Sequence, residues 1–176
     1  MKHDFVSSWN SSYLHRMKKQ EKILIIDDDQ DVLLSARMVL KKHVDIIRSS
    51  NDPRNLEEYL EREEYDVVLL DMNFTIGALS GNEELHWLRR IKELSPNTQV
   101  ILMTAFGDVD LAVKAMKDGA ADFIVKPWEN KRLVTTVRNT IELGKTKKKV
   151  NELKAREKAI IKSLSLIHIS EPTRPY

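Results

Sequence analysis

The stretch ILIIDDDQD, residues 23–31, decides the fold because it joins four apolar residues directly to three carboxylates. An uninterrupted apolar run rich in isoleucine is typical of a strand buried on both faces, as in a parallel sheet. Two carboxylates about 4 Å apart repel by roughly 4 kcal/mol at an effective dielectric of about 20. The end of this strand is therefore expected either to recruit a cation or to raise the pKa of its carboxyl groups.

Four more apolar runs follow and are predicted to be strands: DIIRS (45–49), YDVVLLD (65–71), QVILMT (99–104) and ADFIVK (121–126). Five segments with helical apolar spacing alternate with the strands, and the third and fourth apolar stripes end at Leu94 and Met116. Alternating strands and helices form right-handed crossovers and a parallel sheet covered on both faces. The sequence therefore predicts a doubly wound α/β domain.

Residues that start and stop helices support this pattern. Asp29 precedes the first helical stripe as a predicted N-cap, and Asp52 with Pro53 forms a second helix start. Gly119 follows the fourth stripe, where a glycine commonly ends a helix. The boundaries of the predicted elements therefore agree with their periodicity.

Polar residues end four of the predicted strands: Asp27 and Asp28 the first, Asp71 the third, Thr104 the fourth and Lys126 the fifth. In a doubly wound sheet these ends meet at one rim, where ligands bind. Carboxylate oxygens without histidine or cysteine suit Mg²⁺. An aspartate there can act as a nucleophile toward phosphorus, while the lysine and hydroxyl hold phosphoryl oxygens. The pattern predicts a magnesium-dependent phosphoryl site.

The segments ILIIDDD, VVLLDMN, ILMTA and DFIVKP, in this order and spacing, resemble the receiver domain of bacterial two-component response regulators. The resemblance covers about residues 22–143 and implies a flavodoxin-like, CheY-like sheet of five parallel strands in the order 2-1-3-4-5, with five helices. It also implies that Asp71 accepts a phosphoryl group from a sensor histidine kinase or a phosphotransfer protein.

The same resemblance assigns metal ligands around Asp71, which itself contributes to the magnesium site. Asp28 corresponds to the direct Mg²⁺ ligand, and Asp27 to a neighbour that acts mostly through water. Asn73 corresponds to the position that contributes its backbone carbonyl to the metal. The implied cofactor is Mg²⁺ alone.

Three further positions correspond to the parts of the family that respond to phosphorylation. Thr104 resembles the switch hydroxyl, and Phe123 the aromatic side chain whose rotamer changes on activation. Lys126 resembles the lysine that contacts phosphate, and the Lys126-Pro127 bond the family's cis peptide. The resemblance thus implies that Asp71, Thr104 and Lys126 are the residues that take part in phosphoryl transfer.

One loop departs from the common receiver pattern. The segment DMNFTIGALSG, residues 71–81, is longer than usual and carries Thr75 where a proline is common. A similar loop occurs in receivers of NtrC-type enhancer-binding activators. The resemblance therefore implies the N-terminal part of such a regulator, which controls a transcriptional output domain absent from this sequence.

Two other functions remain open at this point. A phosphatase resembling the haloacid dehalogenases also uses an aspartate nucleophile with magnesium, but it carries a second aspartate where this chain has Asn73. A module that docks partners without phosphorylation would use the fourth strand, fourth helix and fifth strand. The expectation is a self-directed switch that does not turn over an external substrate.

Composition narrows the setting of this domain. The chain has no cysteine, which excludes disulfides and thiol chemistry, and no apolar run approaches the ~20 residues that span a bilayer. The N-terminus has no apolar signal-peptide core. A cytoplasmic protein without membrane contact is expected.

Charge is distributed unevenly along the chain. Residues 21–143 carry 16 basic and 23 acidic side chains, whereas the remainder carries 13 and 4. The basic segment 145–162 has no aromatic residue for stacking, so a solvated linker helix is expected rather than a nucleic-acid site. Heptad spacing predicts a weak coiled coil in the linker, with apolar residues at Val150, Leu153, Ile160 and Leu164. A homodimer is therefore expected, through the linker or through the receiver face.

The sequence thus divides into four predicted parts: a disordered tail (1–20), a receiver domain (21–143), a basic helical linker (144–163) and a C-terminal tail (164–176). LSLIHISEPTR, residues 164–174, resembles a translated sequencing adapter. The tail is therefore expected to be non-native, with the natural protein continuing past about Ser163.

Overall fold

The computed structural model describes residues 20–72, 85–105 and 109–168. These residues form five strands that alternate with five α-helices. The strands are β1 Lys22–Ile26, β2 Ile46–Ser50, β3 Val67–Asp71, β4 Gln99–Ala105 and β5 Asp122–Lys126. The helices are α1 Gln30–Leu40, α2 Leu56–Arg62 after a 3-10 turn at Pro53–Asn55, α3 His86–Leu94, α4 Val109–Lys117 and α5 Asn130–His168.

All five strands pair in parallel in the order β2-β1-β3-β4-β5, which confirms the predicted doubly wound fold. The observed strands agree with the predicted runs to within two residues. The order of the strands reverses between β1 and β3, which lie side by side with Ile26 opposite Leu70. The carboxyl ends of these two strands therefore form the switch point of the sheet.

Two hydrophobic clusters cover the two faces of the sheet. Because successive side chains of a strand point to opposite faces, Ile23 and Ile25 pack under α1 and α5, and Leu24 and Ile26 under α2, α3 and α4. All four side chains are fully buried. Full burial of such a side chain contributes about 1.5–3 kcal/mol, so β1 is anchored on both faces.

Two residues that continue helical apolar stripes are exposed. Leu94 and Met116 continue apolar stripes in the sequence, but they are 37% and 42% exposed. Each lies in the last turn of its helix, where the chain leaves the sheet to begin the next loop. Periodicity identifies the face of a helix and not the residue at which packing against the sheet stops.

The predicted helix boundaries are confirmed. The Asp29 side chain accepts hydrogen bonds from the N–H groups of Asp31 and Val32 at 2.8 and 3.3 Å, and so caps α1. Asp52 caps the 3-10 turn in the same way, and Gly119 ends α4 with a φ of +100°. The Lys126-Pro127 peptide is cis, as predicted.

Helix α5 continues without interruption across residue 143, where the receiver was predicted to end. Residues 149–165 are all exposed, whereas the first part of α5 buries Leu133, Val137 and Ile141 against the sheet. The division at residue 143 stays a prediction. None of the helices in the described ranges is long and apolar enough to cross a membrane.

We expect Leu69→Ala to lower the free energy of unfolding by about 2–5 kcal/mol, because it removes a fully buried side chain from the centre of the sheet and leaves a cavity. Leu34→Ala makes the same chemical change at a side chain that is 57% exposed and should stay within about 0.5 kcal/mol of wild type. Urea denaturation followed by circular dichroism measures both. Equal losses would contradict the assigned core.

Candidate functional site

The carboxyl edge of the sheet brings together the polar residues that end β1, β3 and β5. Asp27 follows β1 directly, Asp71 is the last residue of β3 and Lys126 is the last residue of β5. The pairing of β1 with β3 places Asp27 beside Asp71. The strand ends therefore converge at one rim, as the sequence predicts.

Lys126 joins the two buried carboxylates. Its Nζ lies 2.5 Å from Asp27 Oδ2 and 2.8 Å from Asp71 Oδ1. The Asp27 and Asp71 side chains are 0% and 1% exposed, and the Lys126 side chain is 17% exposed. Since a buried charge is tolerated only when it is paired, this lysine is required for two carboxylates to share the rim.

The environment shifts the pKa of two of these groups. Burial raises the pKa of Asp27 and the Asp71 charge raises it further, while the contact with Lys126 and the hydrogen bond from the Asp29 N–H offset only part of this effect. Burial alone would lower the pKa of Lys126, but its contacts with Asp27 and Asp71 outweigh burial and raise it. Lys126 is therefore a cation at neutral pH, while burial disfavours the charged form of Asp27.

Three carboxylates at the rim match the requirements of a hard divalent cation. One oxygen from each of Asp27, Asp28 and Asp71 lies within 4.8 Å of the others, and Asp28 is exposed to solvent. Asp27 Oδ2 contacts Lys126 as an ion pair but accepts no aligned hydrogen bond from the described residues. An oxygen-only donor set with spare acceptor capacity fits Mg²⁺. Asn73, the fourth predicted ligand, lies outside the described residues.

The two predicted switch positions lie on neighbouring strands beside the rim. Thr104 is 2% exposed, and its Oγ1 donates to the Ala105 carbonyl at 3.2 Å. Phe123 lies opposite Leu102 in the β4–β5 pair and packs, half-buried, against the cluster under α2, α3 and α4. The roles of both residues in switching stay predictions.

Sequence reasoning missed one contact of Asp29, which it assigned only to helix capping. The Asp29 backbone N–H donates to Asp27 Oδ1 at 3.0 Å and so orients the carboxylate whose other oxygen faces Lys126. An aspartate commonly accepts from the N–H two residues later. The spacing of Asp27 and Asp29 was the available signal.

This sheet order, with paired aspartates and a lysine at its carboxyl edge, defines a class of α/β signalling domain. The profile of the response regulator receiver domain matches residues 23–138, and the chain belongs to that family. Receiver domains are the signalling switches of two-component systems.

Curated relatives cover the same part of the chain. The response regulator PilR of Pseudomonas aeruginosa is 34% identical over 124 residues, which are 70% of this chain and 27% of PilR. The regulatory protein LuxO of Vibrio cholerae is 41% identical over 88 residues, 50% of this chain and 18% of LuxO. These relatives are NtrC-type response regulators, which confirms the predicted resemblance. The chain spans less than a third of their length.

Solved structures show the same fold. The receiver domain of a response regulator from Bacteroides fragilis has a TM-score of 0.63 and 41% identity, covering 70% of this chain and 98% of its own. NtrX from Brucella abortus has a TM-score of 0.69 and 27% identity, covering 77% of this chain and 30% of its own.

We expect Asp27→Asn to become more stable relative to wild type as the pH rises above 3.8, the ordinary pKa of an aspartate. Because the native pKa of Asp27 is raised, the folded state holds this proton more tightly than the unfolded state, and wild-type stability falls as the carboxyl ionises. Urea unfolding without divalent cations between about pH 3.5 and 7 measures the difference, which would be flat or reversed if burial did not govern this group.

Proposed function

We propose that this chain is a phosphoacceptor switch in which Asp71 takes a phosphoryl group from a histidine kinase or phosphotransfer protein. One contact carries the proposal: Lys126 Nζ lies 2.8 Å from the Asp71 oxygen while it also contacts Asp27. The Asp71 carboxylate attacks phosphorus, and the new P–O bond forms as the P–N bond to the donor histidine breaks. Lys126 is then placed to neutralise an oxygen of the transferred group.

Asp27, Asp28 and Asp71, with the backbone carbonyl of Asn73, would hold Mg²⁺ in this reaction. When bound, the ion offsets negative charge on the phosphoryl oxygens. The proximity of the three carboxylates supports this assignment, because their mutual repulsion favours a second cation beside Lys126. Asp28 is the exposed carboxylate of the three, so an incoming metal ion can replace the water around it directly.

Phosphorylation would change a docking face through Thr104 and Phe123. The Thr104 hydroxyl turns toward the phosphoryl group, and Phe123 follows it on the neighbouring strand. The face consists of β4, α4 and β5, on which Val113 and Met116 are 50% and 42% exposed. A switch of this kind requires that the phosphoryl group contact one arrangement more favourably than the other.

The NtrC-type relatives support a role in controlling a transcriptional output domain. The part of those proteins that this chain matches is the receiver, so the output domain and its targets are proposed by analogy. The partners are a kinase or phosphotransfer protein and a second copy of the chain, with no nucleic acid bound by the described residues. The activity is self-directed, and the location is cytoplasmic.

We expect wild-type protein with Mg²⁺ and acetyl phosphate to gain one phosphoryl group, and Asp71→Asn to gain none because the nucleophile is lost. Asp28→Ala should abolish the Mg²⁺-dependent phosphorylation, and Asp27→Ala should weaken it. Intact-protein mass spectrometry and Phos-tag gels measure the product. Asp31→Asn is the matched control, since this exposed carboxylate lies in the first turn of α1 outside the cluster.

Two further measurements on the same variants, phosphate release and partner binding, separate the other two functions. Continuous release of phosphate from many esters would indicate a phosphatase and overturn the switch. Partner binding that is equal for wild type and Asp71→Asn, with and without the phosphodonor, would indicate a module that works without phosphorylation.

The proposed homodimer has its own test in the exposed part of α5. Ile160 is 60% exposed at a heptad core position, so Ile160→Lys should weaken self-association at least about tenfold by placing a charge in the apolar seam. Ala159→Lys adds the same side chain beside the seam and should have little effect. Sedimentation equilibrium measures both variants; equal effects, or a monomeric wild type at high concentration, would exclude dimerisation through this helix.

A further inference from the structure

A second charge cluster, centred on one buried carboxylate, lies at the opposite end of the strands from Asp71. Glu21 immediately precedes β1, and its side chain is only 5% exposed. Lys145 Nζ donates to Glu21 Oε1 at 2.7 Å, and Arg138 Nη1 donates to Oε2. Both cations belong to α5, so one buried carboxylate holds the final helix against the start of the first strand.

The backbone of Glu21 is fixed on both sides. Its N–H donates to Asp45 Oδ2 at 2.8 Å, and its carbonyl accepts from the Ile46 N–H at 3.0 Å. Arg138 also donates to the His43 carbonyl at 3.3 Å, which ties it to the loop before β2. If α5 moved away from the sheet, Glu21 could move with it only by breaking its backbone hydrogen bonds to Asp45 and Ile46.

Contacts with the sheet edge continue along α5 as far as Lys148. A Cβ built on Gly144 would lie 3.0 Å from Gln99 Cγ, so the helix passes close to the start of β4. Lys147 Nζ contacts Gln99 Oε1 at 3.2 Å, and Lys148 Nζ lies 3.6 Å from Glu64. Beyond this point every residue from 149 to 165 is exposed.

We propose that Glu21 acts as an electrostatic pin, meaning a buried carboxylate that anchors α5 through Arg138 and Lys145. The part of α5 up to Lys148 then unfolds and refolds together with the receiver as one cooperative unit. The unit then extends past the predicted boundary at residue 143, and the helix leaves the domain in a fixed direction. Glu21 and the contacts from Gly144 to Lys148 lie outside residues 23–138, the range that the receiver family matches, whereas Arg138 is the last residue inside it. Movement of α5 on the sheet would pass directly to the exposed helix after Lys148.

Amide hydrogen exchange of the full chain tests this inference without reference to phosphorylation. At protein concentrations low enough for the chain to be monomeric, we expect residues 142–148 to be protected together with the buried turn of α5, and residues 150–162 to exchange rapidly. Lys145→Gln should lower protection of 142–148 about tenfold or more, because a charged hydrogen bond to a buried carboxylate is lost. It should leave the amides of β3 unchanged. Arg138 still pairs with Glu21 in this variant, so the domain is expected to fold.

Two controls separate the pin from general effects of charge. Lys154→Gln removes a lysine from the exposed helix and should change nothing. Glu142→Gln removes the partner that Lys145 has on its own helix, at 2.8 Å, and should lower protection about twofold or less.

A double-mutant cycle completes the test. If Glu21 and Lys145 act as one unit, the double variant Glu21→Gln/Lys145→Gln should lose less protection than independent effects would give. Independent effects would give a fold-loss equal to the product of the two single fold-losses. Independent losses, unchanged protection in Lys145→Gln, or unprotected amides at 142–148 in wild type would each overturn the inference.

Discussion

The contact of Lys126 with Asp27 and Asp71 is the constraint on which the site depends. Each of these charges is removed from water, and an unpaired buried charge costs several kcal/mol. The lysine reduces that cost for both carboxylates and holds the ends of β1, β3 and β5 at one point. One lysine facing a cluster of three carboxylates leaves an excess of negative charge at the rim, and such an excess favours a further cation.

Helix α5 connects the rim at the carboxyl ends of the strands with Glu21 at their amino ends. It begins four residues after Lys126, packs over the face that contains Ile23 and Ile25, and reaches Glu21 at Lys145. At 1.5 Å per residue, the helix covers about 22 Å between Asn130 and Lys145. One charge cluster thus lies just before the start of α5 and the other lies beside Lys145, with apolar packing between them. Such an arrangement transmits displacement better than a flexible connection does.

Much of the fold and of the site could be predicted from local patterns. Apolar runs that end in Asp27, Asp71 and Lys126 define the strands, and the topology of alternating strands and helices places those ends at one edge. Asp29, Asp52 and Gly119 act where short-range hydrogen bonding and backbone geometry require them. The exposure of Leu94 and Met116 could not be predicted, because a helical stripe does not show where the sheet beneath it stops.

The residues that could form the site follow from local sequence, because periodicity, capping and strand ends depend on neighbours only a few positions apart. How those residues pair depends on the assembled fold. Lys126 contacts both carboxylates at once. Glu21 meets Arg138 and Lys145 across separations of 117 and 124 residues, and no local pattern can encode such a contact. These pairings depend on the distances that the assembled sheet imposes.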